Sequence, residues 1–223
     1  MPVEPPPTPW QFPDLNNREV GGGPHDDLVA IGADLEPGTL LEAYRSGLFP
    51  MPGERIGALT WWSPVDRGVL PLDGLKVSRS LARSARRMEL RVDTRFDEVV
   101  AACGDPSRDG GWIDEHIATA YSTLHRLGWA HSVETWVDGE LVGGLYGVAV
   151  GGLFAGESMF HRATDASKAA LHHLTHRLID RNYTLFDVQW TNDHTESLGA
   201  KDIRRRTYLK RLAEAVKLDR SFT

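Results

Sequence analysis

The sequence has very little cysteine and no long apolar run. Cys103 is the single cysteine among 223 residues, which excludes an intrachain disulfide and a paired-cysteine zinc site. No stretch reaches the roughly 18 apolar residues of a membrane helix, and the first residues lack the basic and apolar segments of a secretory signal. We therefore expect a cytoplasmic protein with no membrane contact, in which Cys103 is a small buried residue rather than a nucleophile.

Several familiar catalytic motifs are also missing. The chain contains no Gly-x-Ser-x-Gly elbow of an α/β-hydrolase. Its glycine run at 143–147 lies inside a strand pattern, whereas a phosphate-binding loop opens a helix. His172 and His176 have the four-residue spacing of metal ligands on a helix, but the glutamate of a zinc protease is not beside them. We expect neither a metal nor a nucleotide-type cofactor.

Charge is distributed unevenly along the chain. The formal net charge is -6, so the chain as a whole is not suited to general polyanion binding. Residues 76–87 are the exception, because they contain basic side chains and no acid. Spacings of three and four residues after Ser78, a suitable N-cap, predict a helix with one basic face. Such a face is either a solvated surface or a contact for phosphate groups, and composition leaves both open. The basic residues are Lys76, Arg79, Arg83, Arg86 and Arg87.

The order of predicted elements indicates an α+β fold in two parts. Residues 1–64 form a small N-terminal domain with a proline-rich arm, a Gly-Gly-Gly-Pro break at 21–24 and a helix over 35–47. Residues 65–223 contain a hairpin over 131–150 turned by Asp138-Gly139, a helix over about 166–180 and a strand over 184–190. A last helix covers about 205–216. This order predicts a mixed sheet with flanking helices.

Acidic and amide side chains occur where predicted strands end. Glu157 lies between the apolar strand over 141–150 and the start of a helix. Asp187 and Gln189 share one face of their strand, residues 186, 188 and 190 share the other, and Asn192 follows at the strand's end. That strand alone could equally be a solvent-facing edge. Two acids at strand ends of one sheet favour a ligand that carries an amine or another cation.

Four separated segments resemble bacterial leucyl/phenylalanyl-tRNA–protein transferases. They are LLEAYRSGLFP at 40–50, WWSP at 61–64, LFAGESMF at 153–160 and DVQWTNDHT at 187–195. The likeness extends from about Asp27 to Leu212. It implies a C-terminal domain with the acetyltransferase-like (GNAT) fold. It also implies transfer of Leu, Phe or Met from aminoacyl-tRNA to the N-terminal Arg or Lys of proteins, which marks them for degradation. We expect a monomer.

The resemblance further implies roles for particular residues. Asp187 polarises Gln189, which contacts the attacking amine. Glu157 holds the acceptor's N-terminus, and Asn192 assists. Aminolysis of an activated ester needs positioning and proton removal, so no metal or cofactor is required. The basic residues at 76–87 contact the tRNA backbone. Apolar and stacking surfaces for the aminoacyl side chain and terminal adenosine are expected at Trp112, Tyr121, Met159, Leu171, Leu174 and Leu178.

Two other functions fit parts of the sequence. An acyl-CoA N-acyltransferase on the same fold needs a glycine-rich loop before the helix that follows the central strand, and residues 160–167 contain no glycine. A non-catalytic RNA-binding protein would use the basic helix alone. Changing Asp187 to alanine would then leave function intact, whereas a transferase would lose turnover and keep its tRNA affinity.

Overall fold

The computed structural model describes residues 1–16, 26–53, 57–108 and 111–223. The predicted break at 21–24 lies outside them. The strands are β1 (Leu28–Ile31), β2 (Phe49–Gly53), β3 (Ala58–Trp62), β4 (Asp66–Val69), β5 (Glu89–Val92), β6 (Ala130–Val137), β7 (Glu140–Val150), β8 (Leu153–His161), β9 (Leu185–Gln189) and β10 (Lys201–Arg204). The helices are α1 (Pro37–Arg45), α2 (Arg79–Ala85), α3 (Phe96–Cys103), α4 (Glu115–Arg126), α5 (Ala166–Asp180), α6 (Asp193–Ser197) and α7 (Arg205–Ala215).

A small antiparallel sheet of order β1-β3-β2 accompanies helix α1. Pro37 lies in the first turn of α1, where the N–H that proline lacks has no helical partner. The chain reverses after α1 at Gly47, whose φ is +85°. An added Cβ there would lie 2.6 Å from the Leu209 side chain of α7. The predicted helix is confirmed, and the predicted division at residue 64 falls between β3 and β4.

The large sheet has the order β10-β4-β9-β8-β7-β6-β5. Strands β8 and β9 pair in parallel, and α5 is the crossover that such a pair requires. The other neighbours pair antiparallel. Asp138 and Gly139 turn the β6–β7 hairpin with φ angles of +50° and +82°, as a type I′ turn needs. The predicted hairpin is confirmed.

Glu157 lies inside a strand that the sequence analysis did not predict. Residues 153–161 form β8, so Glu157 is not at a junction between strand and helix. Tyr146 of β7 pairs with Ser158 and Gly147 pairs with Gly156, which leaves Glu157 as the extra residue of a β-bulge. Bulges redirect a side chain and occur often beside active sites.

Strand β9 ends at Gln189, one residue earlier than predicted. Gln189 has a φ of +60°, which L residues other than Asn and Asp rarely adopt. Phe186 and Val188 pack in the cluster on the α5 side of the sheet, as expected. Trp190 instead packs edge-on against Phe49, at 4.8 Å, in the other cluster. The prediction that all three share one face is wrong for Trp190, because the chain leaves strand geometry at Gln189.

Two hydrophobic clusters cover opposite faces of the large sheet. Tyr146 and Val148 of β7 belong to the cluster with α1, α3, α4 and α7, whereas Leu145 and Ala149 belong to the cluster with α5. This alternation is what strand geometry requires. The α+β class, with a small N-terminal part and a mixed sheet flanked by helices, is confirmed. Among the described residues, none of the helices has the length and apolar character needed to cross a bilayer.

Candidate active site

Three of the predicted polar residues meet on neighbouring strands of the large sheet. Asp187 and Gln189 are on β9, and Glu157 is on the parallel neighbour β8. The side-chain Nε2 of Gln189 donates to Glu157 Oε1 at 3.0 Å. Asp187 is fully buried, while Glu157 and Gln189 keep 8% and 9% exposure. The structure therefore brings these residues together in one site, in which only Glu157 and Gln189 keep any exposure to solvent.

Two tyrosines hold the other side of the Glu157 carboxylate. Tyr121 of α4 donates its hydroxyl to Glu157 Oε2 at 3.0 Å. The hydroxyl of Tyr44, on α1, lies 2.5 Å from that of Tyr121. Both rings are buried. A helix of the N-terminal part thus contributes to the hydrogen-bond chain that ends at Glu157.

The environment of Glu157 raises its pKa from the usual 4.5 to about 7. Burial is the largest cause, because removal from water disfavours the charged form. Hydrogen bonds from Tyr44 and Tyr121 lower the pKa, the Asp187 charge raises it, and the Arg67 charge lowers it. A carboxyl group of this pKa exchanges protons near neutral pH, which suits a general acid or base.

Asp187 is enclosed by donors and has no free oxygen for a substrate. Arg67 of β4 donates Nε to Oδ1 at 2.8 Å and Nη2 to Oδ2 at 2.6 Å. Tyr208 of α7 donates to Oδ2 at 2.8 Å, and the main-chain N–H of Gln189 donates to Oδ1 at 2.9 Å. Asp187 therefore acts on Gln189 through its main chain, where it holds the left-handed conformation, and not through the side-chain amide.

Arg67 is as fully enclosed as its partner. Its Nη1 donates to the carbonyl of Gly47 at 3.0 Å. Its guanidinium carbon lies 4.8 Å from the Phe49 ring centroid and 4.3 Å from that of Tyr208. The side chains of Arg67 and Asp187 are 1% and 0% exposed. Such a buried pair is costly to break, because the remaining charge has no partner.

A cavity of about 370 Å³ opens above Glu157 and Gln189. Both residues line it, together with His194 from α6. The remaining lining is mostly apolar and aromatic, which is typical of a site for an organic ligand with a few polar contacts. Five of the predicted binding residues are part of it, namely Trp112, Met159, Leu171, Leu174 and Asn192.

The remaining predicted binding residues are elsewhere. Tyr121 is fully buried behind Glu157, and Leu178 is fully buried in the cluster of α5. Neither is among the lining residues of the cavity. Asn192 lines the cavity but also caps α6, since its Oδ1 accepts from the Thr195 N–H at 2.9 Å. Its side-chain N–H groups are the part available to a ligand.

Sequence reasoning missed several residues that build the site. Arg67 and Tyr208 fix Asp187, and Tyr44 extends the chain from Glu157. Phe49 lines the cavity. The sequence did offer one signal, an arginine directly before the apolar run 68–70, because a charge at the edge of a buried strand requires a partner. Nothing local identified that partner.

The predicted basic helix is present as α2 but ends at Ala85, so it contains only Arg79 and Arg83 of the predicted cations. Lys76 precedes the helix, and Arg86 and Arg87 follow it. Ser78 caps it, accepting from the Leu81 N–H at 3.1 Å, and Leu81 is its buried anchor. Ser84 donates to Asp165 before α5 at 3.1 Å. The five predicted cations are exposed, and none takes part in an ion pair within the described part of the chain. These cations are Lys76, Arg79, Arg83, Arg86 and Arg87.

The other candidate residues have structural explanations. Cys103 is buried, and burial raises its pKa to about 11, so its thiol is protonated at neutral pH. An added Cβ on Gly143 would lie 2.5 Å from the Cβ of Ala166, so this glycine allows α5 to pack against β7. The Nε2 atoms of His172 and His176 are 3.1 Å apart on the solvent-facing side of α5, where His172 is half-buried and His176 is exposed. The described residues contain no cluster of three or more potential metal ligands.

Two solved structures illustrate the comparisons with known folds. The chain is similar to a GCN5-related N-acetyltransferase-like protein from Streptococcus suis, with 16% identity, a TM-score of 0.35 and coverage of 74% of this chain and 63% of that one. It is also similar to L-PGS from Bacillus licheniformis, with 11% identity, a TM-score of 0.42 and coverage of 68% and 64%.

The matches found by sequence comparison cover most of the chain. The leucyl/phenylalanyl-tRNA protein transferase model matches residues 69–213, and the model of that family's N-terminal domain matches residues 33–65. A leucyl/phenylalanyl-tRNA–protein transferase of Nitrosomonas europaea is 51% identical over 83% of this chain and 80% of that protein. Another, of Aromatoleum aromaticum, is 48% identical over 92% and 89%. The chain belongs to the leucyl/phenylalanyl-tRNA–protein transferase family.

Proposed function

We propose that this protein transfers Leu, Phe or Met from an aminoacyl-tRNA to the α-amino group of an N-terminal Arg or Lys of an acceptor protein. The observation that carries the mechanism is Glu157, a carboxyl group with a pKa of about 7 in the wall of an apolar cavity. Transfer of this kind marks the acceptor for degradation. The proposal places a monomeric enzyme in the cytoplasm, where charged tRNAs are made and used.

The reaction needs a neutral amine. An α-amino group has a pKa of about 7.7 to 8.0, so it arrives mostly as an ammonium ion at neutral pH. The ionised Glu157 accepts one proton from that ion. The neutral nitrogen then attacks the ester carbonyl carbon, and the ester bond to the terminal ribose breaks. The nitrogen gives up a second proton, and the departing ribose oxygen takes one up, so the products are an amide and free tRNA. Because the two pKa values are close, the first transfer is nearly balanced in free energy.

Gln189 positions the reacting groups, and its side-chain amide neither gains nor loses a proton. Its Nε2 is committed to Glu157, which leaves its side-chain carbonyl oxygen to accept from the incoming amine. The left-handed backbone at Gln189 directs this side chain, and the N–H bond to Asp187 keeps it there. Arg67 balances the charge of Asp187. In this arrangement Asp187 and Arg67 are positioning residues, and Glu157 is the proton acceptor.

The cavity is suited to bind the aminoacyl end of the donor tRNA. Met159, Leu171 and Leu174 provide an apolar surface for a Leu, Phe or Met side chain, and unbranched Met159 adapts to different shapes. The half-buried Trp112 offers a stacking surface for the terminal adenosine. Asn192 contributes the free N–H groups of its amide.

Helix α2 is suited to contact the phosphate backbone of the tRNA. The exposed cations in this helix and beside its ends have no acidic partner among the described residues. Helix α2 packs beside α5, which also lines the cavity. Contacts to phosphates carry no sequence information, so one surface can serve several tRNAs. Binding should weaken steeply as salt increases.

A transfer assay tests the proposal. Purified protein is mixed with radiolabelled leucyl-, phenylalanyl- or methionyl-tRNA and with peptides that start with Arg, Lys, Ala or Glu. We expect label on the peptides that start with Arg or Lys, without ATP or added metal. The variant Glu157→Gln should lose most of its transfer at pH 7 and keep tRNA binding. Absence of transfer from all three tRNAs would refute the proposal, and acylation from an acyl-CoA instead would replace it.

A further inference from the structure

The active-site cavity meets the solvent at a few side chains. Arg108, Asn192 and His194 are exposed, whereas the other residues that line the cavity are buried or half-buried. Arg108 is already engaged, because its Nη1 donates to the carbonyl of Cys103 at 2.8 Å and its Nη2 donates to that of Met159 at 2.6 Å. The ring of His194 forms no hydrogen bond with any residue that the structure describes. It is therefore an available hydrogen-bonding group at the mouth of the cavity.

Two other basic side chains lie close to His194. Partial burial is the largest cause that lowers the pKa of His194, and the charges of Lys168 and His161 lower it further. In salt solution, charges act on one another only over about 8–10 Å, so the three side chains belong to one patch. They come from α6, the first turn of α5 and the end of β8, and each of these elements contributes residues to the cavity wall. We call His161, Lys168 and His194 the mouth cluster.

The mouth cluster lies between the cavity and the basic residues around α2. Asp165, directly before α5, accepts from the Ser84 hydroxyl of α2 at 3.1 Å, and its other carboxylate oxygen lies 3.8 Å from Lys168 Nζ. A separation of 3.8 Å is an ion pair without a hydrogen bond, so this contact leaves the N–H donors of Lys168 available. Lys76, which precedes α2, donates to the carbonyl of Glu196 in α6 at 3.3 Å. Basic side chains thus extend from the mouth of the cavity to α2.

We propose that the mouth cluster binds the phosphate group on the 5′ side of the donor's terminal adenosine. The inference rests on the proposed function, because it takes the aminoacyl end of the tRNA to occupy the cavity. The terminal nucleotide is joined to the rest of its strand through this phosphate, so the phosphate lies where the strand leaves the cavity. There the Lys168 ammonium supplies a charge-assisted hydrogen bond, and the rings of His161 and His194 supply N–H donors. From this point the strand continues toward α2.

Three donors separate this inference from the proposed function. Two are small, namely the 3′-leucyl ester of adenosine and the 3′-leucyl ester of adenosine 5′-monophosphate, and the third is leucyl-tRNA. With one Arg-initiated peptide as acceptor, we expect wild-type kcat/KM to be about five- to tenfold higher for the phosphorylated ester at low salt, with the ratio shrinking as salt increases. Equal values for the two esters, including no transfer from either, overturn the inference, while transfer from leucyl-tRNA still supports the proposed function. Failure of all three donors overturns both.

Variants of Lys168 locate the effect. Lys168→Gln removes the ammonium charge and should lower the ratio between the phosphorylated and unphosphorylated esters about threefold or more, with kcat/KM for the unphosphorylated ester unchanged. It should also raise KM for leucyl-tRNA, and Lys168→Arg should keep most of the ratio. The control, Lys210→Gln, removes an exposed charge from α7, which packs on the opposite face of the sheet from α5, and should keep the ratio in full. An unchanged ratio in Lys168→Gln contradicts the inference. An equal loss for both esters also contradicts it, because Lys168 would then support the fold of the site.

Discussion

Replacing Glu157 with glutamine should stabilise the protein above pH 7 while it abolishes most transfer. Burial holds the pKa of Glu157 at about 7 in the folded protein, against 4.5 as its usual value. Between these two pH values the folded state keeps a proton that the unfolded state releases. Stability therefore falls as pH rises through this window, and it falls because of Glu157 itself. Glutamine keeps the shape and removes the charge.

The structure sets the size of the effect. A pKa that rises from 4.5 to about 7 corresponds to about 3 kcal/mol of unfavourable free energy once the carboxylate is ionised. A glutamine oxygen still accepts from Tyr121, and its amide can donate to the Gln189 carbonyl if that side chain turns over. The variant should thus match wild type near pH 4.5 and exceed it by up to about 3 kcal/mol above pH 8. In a chain of this size, that difference is about 6–12 °C in melting temperature.

The measurement is urea or thermal unfolding of both proteins at five pH values from 4.5 to 8.5. Glu140→Gln, at an exposed position that begins β7, is the control and should show no such trend. In parallel, transfer by Glu157→Gln at pH 7 should fall by about tenfold, because only about a tenth of an amine with a pKa near 8 is already neutral at that pH. A stability difference that stays constant across pH, or a variant less stable than wild type at pH 8.5, would refute the assigned pKa.

Two further predictions concern Arg67 and α2. Arg67→Met leaves the Asp187 charge buried without its partner and should lower the free energy of unfolding by about 3–5 kcal/mol, measured in urea; a loss below about 1 kcal/mol would show that water replaces the arginine. Arg83→Glu with Arg87→Glu should raise KM for tRNA at least about tenfold, leave KM for peptide nearly unchanged and reduce the salt slope by about two. Equal changes in both KM values would contradict separate surfaces for the two substrates.

The elements that local sequence determines were predictable. The Asp138-Gly139 turn fixed the β6–β7 hairpin, and the Ser78 cap fixed the start of α2. Strand β8 was not predicted, because Gly156 and Glu157 interrupt its apolar pattern. Its bulge depends on the register of pairing with β7, which cannot be derived from the sequence of either strand alone.

The composition of the site was predictable only in part. Strand periodicity placed Asp187 and Gln189 on one face, and the family resemblance placed Glu157 in the same site. The structure brings Gln189 and Glu157 into contact. The partners that give them their properties are distant in sequence. Arg67 is 120 residues from Asp187, and Tyr44 is 77 residues from Tyr121. Contacts over such separations follow from the assembled fold, so burial and pKa could not be derived beforehand.

The pH dependence of kcat/KM, measured for wild type and for Glu157→Gln with the same leucyl-tRNA and Arg-initiated peptide, tests most directly whether Glu157 removes the amine's proton. With Glu157 as the acceptor of that proton, wild-type kcat/KM should rise with an apparent pKa of about 7 as the carboxyl group ionises, and it should then level off, because an amine that is already neutral at higher pH needs no proton removed. The variant, which depends on amine that is already neutral, should rise to a plateau above about pH 8. The same apparent pKa for both proteins would contradict the account and leave Glu157 as a holding group only.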